Sequence, residues 1–215
     1  MGEKMRNLLG LFYITFSLIL IYGCNGDEKQ AVSLADSTEK NSSDKETEKE
    51  LLALSAEIFS LLQESDFINM ADKVDPEDGI TFAFYADFGN PDGYGGQYVH
   101  LSKEKISAAT DREYVWGHDE SGKEYQLTLH EYVQQMLLQR WGKEEVDYNI
   151  ITFNESAENF AGVINTIHTY YPDAKYVEYY SPGKDEHSFQ SIRFIYKERE
   201  GDWYLIGIAR DVATV

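Results

Sequence analysis

The sequence predicts an α+β fold in which a curved antiparallel sheet packs against amino-terminal and central helices. Two observations carry this expectation. Apolar residues recur at helical spacing at Leu51, Leu54, Ile58, Leu61 and Leu62, and again at Leu129, Tyr132, Val133, Met136 and Leu137. The carboxyl-terminal part instead alternates at strand period, in three apolar runs separated by turn residues.

Each element has its own signal. The first helix spans Glu50 to Glu64. After a break at Ser65-Asp66, the residues Phe67, Met70, Ala71 and Val74 repeat the helical spacing. Asp75-Pro76 ends it, because a proline drives the residue before it out of the helical region. I-T-F-A-F-Y, from Ile80 to Tyr85, reads as a strand, and the F-G-N-P-D-G-Y-G-G that follows reads as a loop. Ser102 is placed to cap a short helix through Ala109. E-Y-V-W-G and E-Y-Q-L-T then flank a polar turn and make a hairpin.

Thr128 and Glu131 form a T-x-x-E capping box, and Gly142 stands where the helix behind it should end. Tyr148 to Phe153 reads as a strand, and Phe160, Val163, Ile164 and Ile167 as a weaker helix. The closing strands are A-K-Y-V-E-Y-Y, S-I-R-F-I-Y-K-E and W-Y-L-I-G-I-A-R, the last two joined by a turn through Glu200-Gly201. Ile192, Phe194 and Tyr196 share one face, with Arg193 and Lys197 on the other. Trp203 to Ile208 is apolar on both faces, which predicts a central strand. The expected architecture is a nuclear-transport-factor-2-like roll, with a cystatin-like wrap as the alternative.

Composition bounds the function. The chain has 215 residues and a formal net charge of -19, enough for one domain with appendages. So acidic a chain repels phosphate, so no nucleic-acid partner is expected. A single cysteine excludes an internal disulfide and a cysteine-based zinc site.

That cysteine, Cys24, follows basic Lys4 and Arg6 and an apolar run of roughly 15 residues from Leu8 to Tyr22. The run is too short for a stable membrane span, which takes about 20 residues. Ile21-Tyr22-Gly23-Cys24 resembles the lipobox of bacterial lipoproteins. The resemblance implies cleavage after a signal peptide of residues 1–23, diacylglyceryl attachment to Cys24, and residence on the extracytoplasmic face of a cell membrane. Two acyl chains meet the requirement for stable anchoring. Residues 24–49, polar and without an apolar period, read as lipid anchor and disordered tether. Residues 50–215 read as a single α+β domain.

D-P-E-D-G-I-T-F-A-F-Y, from Asp75 to Tyr85, is similar to the H-P-x-x-G-V-R-F-S-P-Y opening of a group of uncharacterised bacterial lipoproteins. D-W-Y-L-I-G-I-A-R-D, from Asp202 to Asp211, is similar to their closing strand. Trp116-Gly117, the capping segment and Tyr171-Pro172 follow in the same order. Here Asp75, Thr81 and Phe84 stand where histidine, arginine and proline are usual. The resemblance implies fold and location and carries no activity.

Reaction motifs are missing. His130-Glu131 lacks the second histidine of a zinc-protease helix, since Gln134 holds its place. The loop carboxylate Asp87, with Asn90 and Asp92, offers a loose calcium set against an ordinary turn. There is no nucleophile elbow and no phosphate-binding glycine loop. No catalytic residue, metal ligand or cofactor is therefore assigned. Aromatic residues are the remaining signal, and Tyr85, Trp116 and Tyr179 are the candidate pocket-lining residues. Glu178 or Asp211, with Arg193, could add polar groups or pair across the sheet. The expected function is a non-catalytic, membrane-tethered domain that binds a small ligand or an envelope protein. The rival is a small-molecule enzyme with an acid–base pocket in the roll.

Overall fold

The computed structural model describes residues 28–89, 95–108, 111–157, 164–184 and 188–213, with side chains from residue 43 onward. The signal segment, Cys24, Asn90, Asp92, Phe160, Val163 and His187 lie outside the described residues. Internal contacts divide the chain into residues 1–42 and 43–215, and the second unit is the subject below.

Helices α1 (Glu28–Glu64) and α2 (Phe67–Ala71) come first. Leu51, Ser55, Ile58 and Leu62 form the buried face of α1, with Leu54 and Leu61 packed beside it. Helix α1 begins well before Glu50, inside the stretch whose composition predicted a disordered tether. Glu, Lys, Gln and Ala are good helix formers. A helix already nucleated by packing at Leu51 can also lengthen without a new nucleus.

Among the described residues, ten strands and three more short α-helices follow. β1 (Ile80–Ala83) and β2 (Tyr98–Leu101) are joined through the glycine-rich loop, and α3 spans Lys103–Ser107. β3 (Glu113–His118) and β4 (Glu124–Thr128) form the expected hairpin. Thr128 caps α4 (Leu129–Tyr132) with both bonds of the capping box in place. The helix then widens into a π-helical turn, Val133–Leu137, in which Leu138 N–H donates to Val133 O at 2.9 Å. All five predicted inner-face residues, Leu129, Tyr132, Val133, Met136 and Leu137, are buried. Gly142 has a positive φ, but it sits in the turn between β5 (Gln139–Arg140) and β6 (Glu144–Glu145) rather than directly behind the helix.

The main sheet adds β7 (Ile150–Phe153), β8 (Lys175–Pro182), β9 (Phe189–Arg199) and β10 (Asp202–Ala213). Its order is β2-β1-β10-β9-β8-β7. β10 is internal, as its two apolar faces required. The sheet is mostly antiparallel, but β1 runs parallel to β10, with Thr81 opposite Gly207. The β9–β10 turn has positive φ at both Glu200 and Gly201, the pairing that matches strand twist in a two-residue hairpin. Between β7 and β8, Ile167 opens α5 (Ile167–Tyr170) and is buried, while Ile164 is non-helical and exposed.

Helices cover one face of this sheet. Phe82, Val177, Tyr179, Ile192, Phe194, Tyr196, Leu205 and Ile208 meet α1, α2 and α4 in the main core. Ala83, Tyr176, Ile195, Ile206 and Ala209 point the other way, into a smaller cluster with Phe88 and Ile167. β10 carries a bulge between Leu205 and Gly207. One extra residue there exchanges the faces, so Leu205 and Ile208 both point into the main core.

A buried arginine in an aromatic box

The bulge has a chemical consequence two residues beyond Ile208. Arg210 is opposite Ile192, and its side chain is directed to the main-core face, fully buried. Its guanidinium lies over two rings, 4.2 Å from the Trp141 centroid and 5.0 Å from that of Phe84. Tyr125 closes the box, 5.2 Å from Trp141 and 5.5 Å from Phe84. Gly117 is needed for this packing, because a Cβ there would meet Phe84 Cγ at 2.8 Å.

Rings satisfy the face of a guanidinium but leave its N–H edge bare. Nε, Nη1 and Nη2 of Arg210 have no hydrogen-bond partner among the described residues. Burial lowers its pKa, against the influence of Tyr132, Tyr85 and Tyr148 nearby. The Tyr132 hydroxyl is likewise buried without a partner. Burial pushes the Tyr85 hydroxyl up to about 12, and those of Tyr132 and Tyr148 higher still. All three are neutral hydroxyls at physiological pH.

The π-helical turn frames the far side. Gln190 lies diagonally across the sheet from Arg210 on the same face. Its Nε2 donates to Met136 O and Leu137 O, each at 3.1 Å, and to Tyr148 Oη at 2.8 Å. Tyr148 in turn donates to Leu137 O. Among the described residues Gln190 Oε1 has no partner, nor has Arg140 Nε. Native interiors leave few such atoms, and several of those among the described residues lie around Arg210.

Of the sequence-predicted pocket residues, two border this cluster. Tyr85 is half-buried, 5.0 Å from Phe84, and feels the Arg210 charge. Trp116 is buried and stacks on Tyr132 at 3.9 Å, with its indole N–H donating to Leu127 O at 2.8 Å. Tyr179 is in the main core, but its ring neighbours are Phe59 at 4.9 Å and Phe194 at 5.5 Å. Reading the sequence missed Arg210, Trp141, Tyr132 and Gln190. Period two counted from Leu205 puts Asp211, not Arg210, on the core face, and the bulge reverses that count.

The predicted charges lie on the opposite face. Arg193 Nη2 is 2.6 Å from Glu178 Oε1, and Nη1 donates to Asp211 Oδ2 at 3.0 Å, all three groups being buried. Glu178 Oε2 also accepts the Ala157 N–H at 2.6 Å. Burial raises the Asp211 pKa, with Arg193 pulling it back. This is the cross-sheet pair that the strand pattern allowed. In the loop proposed for calcium, Asp87 Oδ1 accepts Gly89 N–H at 3.1 Å and Thr166 Oγ1–H at 3.4 Å, and no group of three or more acidic, His or Cys side chains gathers among the described residues.

No protein-family model matches the chain, and no curated protein matches it.

Proposed function

We propose that the chain is a lipid-anchored protein of the extracytoplasmic membrane face whose domain binds a small ligand without transforming it. One observation carries the binding half of this reading: Arg210 is wholly buried, packed against two aromatic rings, and without a hydrogen-bond partner for its N–H groups among the described residues. A charge in that state costs free energy unless a partner arrives, and evolution tolerates such costs at functional sites. The tyrosines around it favour binding over acid–base catalysis, since hydroxyls with pKa values of about 12 and above exchange no proton at neutral pH. The enzyme reading has one candidate group, Asp211, whose carboxyl is pushed up by burial. It is bound to Arg193 on the other side of the sheet.

The anchoring half rests on Ile21-Tyr22-Gly23-Cys24 and the apolar run before it. We read the fold as a nuclear-transport-factor-2-like roll, supported by helices that precede the sheet and cover one face of it. Membrane fractionation of Cys24→Ala tests the anchor: the variant should leave the membrane fraction or accumulate as precursor, without labelled fatty acid. Processing and acylation that persist in the variant would falsify it.

A further inference from the structure

We propose that the ligand of the Arg210 site is a small monocarboxylic acid, received on the free guanidinium edge beneath Trp141; the inference rests on the ligand-binding reading above. Shape gives the first argument. Two rings pack against the guanidinium while its N–H groups have no partner among the described residues, and those parallel N–H groups match the two oxygens of a carboxylate. The unpartnered Tyr132 hydroxyl is a further donor to the same group.

Charge gives the second. The acidic group that acts on Arg210, Asp211, is bonded to Arg193 on the opposite face. The Arg210 charge therefore has no carboxylate bonded to it on its own face among the described residues, and a monoanion would match it. A polyanion would overcompensate it, inside a protein of net charge -19 whose field already repels phosphate.

Access gives the third. The cover over the guanidinium is Trp141, half-buried in the turn of the small β5–β6 hairpin. That hairpin is held by two residue pairs, by Gly142 N–H donating to Gln135 O at 2.7 Å and Val146 N–H donating to Leu138 O at 3.1 Å, and by the Arg140–Glu144 and Lys184–Glu144 ion pairs. Trp141 has φ of 55°, a left-handed conformation that bulky residues rarely take. Backbone strain of this kind and π-helical turns both concentrate at ligand sites. Here they adjoin, at Val133–Leu137 and Trp141. A short strained hairpin can lift one indole without disturbing the sheet below.

The experiment titrates full-length protein in detergent with propionate, benzoate, inorganic phosphate, chloride and glucose at fixed ionic strength. Tryptophan emission and the melting temperature are the readouts. Propionate and benzoate should give saturable changes in both, with phosphate, chloride and glucose inert. Arg210→Lys keeps the charge but loses the fork, and should weaken carboxylate binding about tenfold or more, its fold being checked by circular dichroism. Trp141→Phe keeps a ring over the guanidinium, so binding should persist by melting temperature while the emission change shrinks. Saturation by phosphate or chloride, or a carboxylate response equal in Arg210→Lys, overturns the inference. A glucose response unaffected by Arg210→Lys sinks the carboxylate and leaves a ligand-binding domain. Silence from the whole panel sinks both.

Discussion

Arg193 and Arg210 lie in neighbouring strands of one sheet, both fully buried, on opposite faces. Arg193 is held between two carboxylates, so Arg193→Met would leave Glu178 and Asp211 buried without their cation. Breaking a buried ion pair from one side costs about 3–5 kcal/mol, and urea unfolding should show a loss of that order. Arg210 leaves no carboxylate behind. Arg210→Met should unfold at the same urea concentration as the wild type or a higher one, because the desolvation cost goes and the stem packing stays. If Arg210→Met loses as much as Arg193→Met, the arginine in the box is structural. Another buried charge, Asp75, is set by the loop around it. Burial opposes its ionisation, but the N–H groups of Asp78 and Glu77 and the Arg199 guanidinium outweigh burial and lower its pKa. A depressed carboxylate pKa contributes stability above the unfolded value, near 3.8, that is lost as pH falls through the folded one. The stability gap between wild type and Asp75→Asn should thus be widest near neutrality and close below about pH 4, as read by melting temperature across pH. A gap that stays constant to pH 2 would mean that the Asp75 charge contributes nothing.

Among the elements, the capping box at Thr128 was legible because its two bonds are local. Thr128 accepts the Glu131 N–H at 3.2 Å and Glu131 accepts the Thr128 N–H at 2.9 Å. Thr128→Ala should cost about 1 kcal/mol, measured by denaturant melts. An unchanged midpoint would show that tertiary packing alone holds α4. The π-helical turn was not legible. The Met136 and Leu137 carbonyls at its end are taken up by Tyr148, 11 residues on from Leu137, and by Gln190, 53 and 54 residues away. No local pattern announces partners at that distance. The start of α1 escaped for the opposite reason. Residues before Leu51 have no apolar period, yet a helix continuing from a packed segment needs none.

At the scale of the molecule, the mixed fold and the three closing strands followed from periodicity, since period two and period 3.6 separate cleanly in this chain. The direction of β1 against β10 did not, because it depends on the route taken by all the residues between them. The aromatic end of the core was half legible. Tyr85 and Trp116 were within reach as rings near strand ends, while Arg210 looked like any polar residue closing a strand until the bulge fixed its face. The parallel pair also governs the time order of folding. Thr81 and Gly207 are opposite each other although roughly 125 residues apart, so their contact closes a long loop late. During synthesis β1 is finished early and has to wait for β10, the last strand among the described residues, before it gains its inner neighbour. Until then Ile80 and Phe82 have only β2 beside them and no completed sheet. A chain that folds as it is made therefore keeps these residues open to association with other chains until β10 arrives and pairs with β1.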